Sequence, residues 1–144
     1  LVDQSNGTPK RVSVGLDQNR LALQLAILHK HSGIATFDQD VFINVVGGIK
    51  VSETASDIVV MLAIVSSLRD KVIPSNWIAF GEVGLTGEVR PVYNAQERLS
   101  EAQKQGFEVA IIPKGNNPKK IIKGLKIVSV GYLYQAIQYL LENS

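Results

Sequence analysis

The chain has 144 residues with a formal net charge of +2, 45% hydrophobic and 19% charged residues, and no cysteine. That length fits one domain with a real core, and ordinary apolar content with 12 Gly and 5 Pro excludes disorder and collagen-like repetition. Zero cysteines excludes disulfides, thiolate zinc sites and Cys nucleophiles, and no apolar run is long enough for a membrane span, so the expectation is a soluble cytoplasmic domain without a membrane partner.

Residues 1–10 are polar and contain Gly7 and Pro9, and they read as a lead-in from an upstream part of a longer protein, with the domain proper at 11–144. Arg11 to Leu16 alternates with the period of a strand, and Asp17 offers an N-cap to a helix over Asn19–His31. Leu21, Leu25 and Leu28 share one face of that helix with Leu23 and Ile27 beside it, so it is expected to be deeply buried and to stop at Ser32-Gly33. Val41 to Val46 is a β-branched run and predicts a central strand ended by Gly47-Gly48. Thr54-Ala55-Ser56-Asp57 matches an acidic capping box, followed by a buried helix over Ile58–Leu68 and a stop at Arg69-Asp70-Lys71.

Trp77 to Phe80, and Val89 with Val92, suggest two short strands joined around Gly81 to Gly87. Asn94 with Glu97 starts a third helix that stops at Gly106. Val109–Ile112 and Ile127–Val130 are strands, with a short helix open at residues 117–123, and Leu133, Ala136, Ile137, Leu140 and Leu141 define an amphipathic closing helix. The order β α β α β β α β β α, with adjacent strands as well as alternating helices, predicts an α+β fold with a mixed sheet.

Charge is uneven along this order. Residues 109–141 hold Lys114, Lys119, Lys120, Lys123 and Lys126 and no acid, giving +5 there and −3 elsewhere. Such a cluster is either a phosphate-binding footprint or a solvated lysine face. Tyr132 and Tyr134 lie within it and are expected to be partly packed rather than base-stacking. No GxxxxGK[ST] or GxGxxG follows a strand, and the Gly81–Gly87 cluster leads into a strand rather than a helix N-terminus, so a phosphate cradle is not indicated. His29 and His31 near Asp38 and Asp40 read as surface residues at a helix end rather than metal ligands, and no Gly-x-Ser-x-Gly elbow accompanies them.

Two segments carry a family resemblance. Gly81-Glu82-Val83-Gly84-Leu85-Thr86-Gly87-Glu88-Val89-Arg90-Pro91-Val92 resembles the signature of the Lon protease proteolytic domain, and the order from Asn94 through Gly106 to Val109-Ala110-Ile111-Ile112-Pro113 keeps that family's helix, Gly, strand, Ile-Pro. Ala63 to Leu68 aligns with the helix after the Lon nucleophile. The resemblance implies the Lon proteolytic fold, of the ribosomal protein S5 domain 2 type, and a Ser-Lys dyad in which a desolvated Lys takes the serine proton. The matching positions are Ala55 and Arg98. Ala has no nucleophilic atom and Arg stays protonated, so neither can work. Ser56 is turned by about 100° on a helix relative to Ala55, and Ser52 would need another base such as Lys50. Without a catalytic role, Arg98 is expected to pair with Glu97 or Glu101 on its own helix.

Arg11-Val12, Gly15 to Ala22, Asp40 to Gly48 and Ser66 to Asp70 are further similar to the Lon-like domain that closes a family of bacterial DNA-repair ATPases. This implies a parent with a zinc finger and a RecA-like ATPase, hence zinc, ATP and magnesium outside this domain, acting as a DNA-dependent hexamer in branch migration. The implied partners are single-stranded or branched DNA, the parent's own ATPase domain, further copies of the chain and a recombinase. The domain itself is then expected to hold no cofactor and to be a proteolytically inactive scaffold for hexamer assembly and DNA contact through Lys114, Lys119, Lys120, Lys123 and Lys126. The alternative is a residual serine-dependent peptidase or a peptide-binding module, using backbone N–H donors at Thr54 to Asp57.

Overall fold

The computed structural model of the chain describes residues 1–47 and 53–144. Strand β1 (Val2–Gln4) pairs antiparallel with β3 (Gln39–Asn44), and β2 (Arg11–Val14) pairs parallel with β3 on its other side. β3 is therefore the central strand of this sheet, in line with its β-branched run. Residues 2–4 belong to the sheet although their polar neighbourhood places them in a lead-in. Val2 is buried opposite Val41, and its N–H donates to Ser67 Oγ at 2.8 Å.

Helix α1 (Gln18–Ser32) connects β2 to β3. The Asp17 side chain accepts from the Arg20 N–H at 3.0 Å, and Gly33, at φ +66°, ends the helix in the left-handed conformation. Leu21, Leu25, Ile27 and Leu28 are buried, but Leu23 is 44% exposed, so α1 is amphipathic rather than enclosed all round. Helix α2 (Asp57–Arg69) is the central helix, packing on α1, α4 (Leu133–Asn143), β1 and β4 (Trp77–Ala79). Its apolar run carries Ile58, Met61, Leu62, Ile64 and Val65 into the main core, together with Val41, Ile111, Leu133 and Leu140.

The second sheet has the order β4-β7-β8, all parallel, with β7 (Val109–Pro113) in the middle and β8 (Lys126–Val130) at an edge. β7 reads as continuous apolar residues because both its faces are covered. Ile111 faces the main core, while Ala110 and Ile112 meet Leu99 of α3 (Ala95–Lys104), Phe80 and Leu125 in a second, smaller core. Helices and strands arranged in parallel and antiparallel pairs make the chain α+β, as its element order predicts.

Three local expectations are corrected. β4 pairs with β7 and not with a hairpin partner; the hairpin is formed by β5 (Glu82–Val83) and β6 (Val89–Arg90), while Val92 lies beyond it. The Val92 N–H and carbonyl are both held by the Asn116 side chain, at 2.8 and 3.1 Å, which takes Val92 out of any ladder. Residues 117–123 are not helical; the helical turn falls at Lys114–Asn116. Pro118 disfavours helical backbone at Asn117, which sits at ψ 125°, and the following loop delivers Ile122 and Leu125 to the second core. Thr54 and Asp57 make no capping box, because each side chain is engaged by another element.

Candidate functional site

Ala55 lies in a single 3-10 turn, Thr54–Ser56, that leads into α2. Its side chain is buried, its carbonyl accepts from the Gly81 N–H at 2.8 Å, and the Ile58 N–H donates to the Gly81 carbonyl at 3.2 Å. The turn is thus fastened to the bend between β4 and β5. The Thr54 hydroxyl donates to the Glu82 carboxylate, and the Ser56 hydroxyl donates to the Glu53 carbonyl at 2.8 Å. Lys50 and Ser52, the other pair weighed from sequence, lie outside the described residues.

Arg98, on α3, comes to the same place from the other side. Its guanidinium is ion-paired with Glu53, the residue just before the turn, its Nε donates to the Tyr93 carbonyl at 3.1 Å, and its Cζ stands 5.8 Å from the Phe80 ring centroid. The expected pairing with Glu97 or Glu101 does not occur, since these three groups draw the side chain off its own helix. Arg98, Ile78, Phe80, Glu101 and Phe107 line an open groove of about 460 Å³. The groove therefore contains a fixed cation beside an aromatic ring, and the turn next to Glu53 carries the Ala55 methyl group.

Asp57 is a feature that sequence reading assigned to a cap. It is 1% exposed, and its carboxylate accepts from Arg20 Nε at 3.0 Å, from Arg20 Nη2, from the Val83 N–H at 3.0 Å and from Gln24 Nε2 at 3.2 Å. One side chain thus ties α1, α2 and β5 together. The available signal was an acid opening an otherwise apolar buried helix, with Arg20 and Gln24 four residues apart on a helix that could meet it.

The five lysines run along the connection from β7 to β8. Lys114 follows the last residue of β7, while Lys126 is the first residue of β8 and pairs in register with Val109, the first residue of β7. The ends of these strands are separated by about 13 Å at 3.3 Å per residue. The loop bearing Lys119, Lys120 and Lys123 runs back between them, held where Gln103 Nε2 donates to the Lys123 carbonyl at 2.6 Å. All five side chains are exposed, and none makes an ion pair among the described residues; Lys126 Nζ lies 5.4 Å from the Tyr139 ring centroid.

On the hairpin, Thr86 and Arg90 both donate to Glu88, with Thr86 Oγ1 at 2.8 Å and Arg90 Nη2 at 3.1 Å. The Thr86 hydroxyl, with help from Arg90, holds the Glu88 carboxyl below its usual range, and the Glu88 carboxylate in turn raises the Arg90 guanidinium. Gly87 packs against His31, and among the described residues no three His, Asp or Glu side chains converge on one point. Tyr132 and Tyr134 are half exposed and stacked on each other, with centroids 5.9 Å apart.

Comparison with known proteins adds the following. A model of the family described as subunit ChlI of Mg-chelatase matches residues 2–116. DNA repair protein RadA of Pseudomonas aeruginosa is 58% identical over 99% of the chain, which covers 32% of that protein. RadA of Escherichia coli K12 is 56% identical over 95% of the chain and 30% of its own length, and RadA of Aquifex aeolicus is 47% identical over 92% and 30%. The chain spans about a third of the length of the curated relatives it matches.

Proposed function

The chain belongs to the family described as subunit ChlI of Mg-chelatase and is homologous over nearly its whole length to part of DNA repair protein RadA; from that premise we propose that it is a proteolytically silent, Lon-like scaffold domain of a DNA-repair ATPase. The observation that carries this reading is the Arg98–Glu53 ion pair beside Ala55. Where a Lon-type peptidase needs a neutral amine and a hydroxyl, this chain has a permanently charged guanidinium held by a carboxylate and a methyl group. A peptide carbonyl in the groove would meet no nucleophile from either position.

In this reading the fold serves assembly and DNA contact. The lysines from Lys114 to Lys126 supply exposed cations that make no ion pair among the described residues, suited to phosphate contacts that are indifferent to base sequence. Assembly into a hexamer, work in the cytoplasm beside the ATPase, and action on single-stranded or branched DNA, with a recombinase as partner, follow from the resemblance to the Lon-like repair domains. The lead-in at residues 1–10 then joins the ATPase domain to this one, with Val2–Gln4 pinned into the first sheet.

The groove beside Phe80 favours one second reading, capture of an extended peptide without cleavage. A fluorogenic peptide assay tests both. The scaffold reading expects no turnover in the wild type and no change in Ser52→Ala or Ser56→Ala. Serine-dependent turnover would contradict it, and saturable peptide binding lost in Arg98→Ala, which lines the groove outside the core, would favour the second reading.

A further inference from the structure

Away from both the groove and these lysines, the C-terminal ends of α1 and α2 meet the side of α4 around a second concavity of about 320 Å³. Its floor is apolar, from Ile34 and Ile137, both 5% exposed. One wall is the ring of Tyr134, braced by its stack with Tyr132, with the planes inclined by only 17°. Arg69 stands at the rim and makes no ion pair among the described residues. Glu142, which also lines the concavity, is positioned by a hydrogen bond from Gln138 Nε2, at 3.1 Å. The Ser32 hydroxyl, in the wall, is shielded from solvent and has no hydrogen-bond partner.

These features share one complement. An apolar floor and a rigid aromatic wall select a flat ring. An unengaged guanidinium at the rim selects an anionic substituent on it. A carboxylate lining the same concavity selects a polar edge that donates. The negative ends of two helices would oppose an anion, but the Leu28 carbonyl accepts from the Ile34 N–H and the Ser66 carbonyl from the Lys71 N–H, both at 3.0 Å, which blunts that effect. We propose that this concavity is a nucleotide site, in which the base stacks on Tyr134 and the phosphate faces Arg69. The nucleotide is either a free monophosphate or one residue of a single strand. The site lies on α1, α2 and α4 and is independent of the five lysines.

The test is a titration of the 15N-labelled chain with deoxythymidine monophosphate in one arm and a single-stranded thymidine oligomer in the other, followed at the amides of Ser32, Arg69 and Tyr134. Saturable shifts at these amides are expected. They should weaken about fivefold or more in Tyr134→Ala, as loss of one base–aromatic stack would give, and also in Arg69→Gln, while Tyr134→Phe keeps them. Binding of both ligands assigns the site to free nucleotide; binding of the oligomer alone, at the same amides and with the same variant response, assigns it to a strand. Replacing Lys114, Lys119, Lys120 and Lys123 by Glu should leave the monophosphate shifts in place, so loss of strand affinity there speaks to the lysines alone. Absence of shifts at these amides in both arms overturns the inference. So does wild-type affinity in Tyr134→Ala and Arg69→Gln, two half-exposed or exposed positions whose folded state the same spectra report.

Discussion

The guanidinium of Arg98 is paired with the carboxylate of Glu53, two residues before Ala55. The ion pair therefore holds Arg98 of α3 against the residue that leads into the Ala55 turn. A carboxylate at that point would also favour the protonated form of a lysine placed there, the opposite of what a general base needs. The double variant Ala55→Ser/Arg98→Lys is accordingly expected to show no hydrolysis of a fluorogenic peptide. Hydrolysis by the double variant would show that Glu53 does not hold the position.

Asp57 joins three elements through four hydrogen bonds while almost wholly buried. Asp57→Ala would leave the Arg20 guanidinium, the Val83 N–H and the Gln24 amide without their shared acceptor. Loss of one partner from a buried pair destabilises by about 3–5 kcal/mol, and Arg20, at 30% exposed, recovers part of that through water, so about 3 kcal/mol is expected in urea unfolding. Asp57→Asn, which keeps an acceptor oxygen, should lose less. Equal losses in the two variants would mean that the hub acts through volume alone.

These two relationships also mark where sequence reading stopped. The helix boundaries were legible because Asp17, Gly33, Asp70 and Gly106 carry local capping chemistry, and β3 and β7 were legible from runs of Val and Ile. Asp57 was misread because the same TxxD spacing that makes a capping box also lets the acid be claimed by Arg20, 37 residues away, and nothing local distinguishes the two. Arg98 likewise had two acids within reach on its own helix, yet it pairs with Glu53 across 45 residues. The hairpin was misjoined because β5 and β6 have two residues each, too short for any alternation to show. The concavity at Tyr134 is assembled from three helix segments distant in sequence and leaves no motif at all.

Gly87 sits at φ +81° in the hairpin turn, and an added Cβ would lie 2.9 Å from His31 Cβ. Gly87→Ala meets both the left-handed backbone penalty and a contact with α1 that has little room to yield. A loss of about 1–3 kcal/mol is expected in thermal or denaturant unfolding. Measured against His31→Gly alone, which removes the contacting Cβ, Gly87→Ala should recover only the steric part. Full recovery would show that the backbone conformation is unstrained for alanine.

Glu88 has a carboxyl lowered in the folded state by Thr86 and Arg90. A lowered folded value stabilises above the ordinary one, 4.5, and that contribution disappears as pH falls through the lowered value. Melting temperature followed from neutral pH into acid should therefore drop less steeply below about pH 4.5 in Glu88→Gln than in the wild type. The difference is small, because the pair is exposed and screened. Thr86→Ala should flatten the same limb, and a steeper limb in either variant would reverse the assigned sign.

The central claim is a silent domain that touches DNA through its lysines from Lys114 to Lys126, and the salt dependence of binding tests it most directly. In full-length protein, affinity for a single strand would be measured over a range of salt concentrations, for the wild type and for the variant with Lys114, Lys119, Lys120 and Lys123 replaced by Glu. With about 0.7 in the logarithmic slope per phosphate contact on a single strand, loss of all four contacts makes the slope shallower by up to about 3 and weakens binding most at low salt. An unchanged affinity and an unchanged slope would contradict the claim.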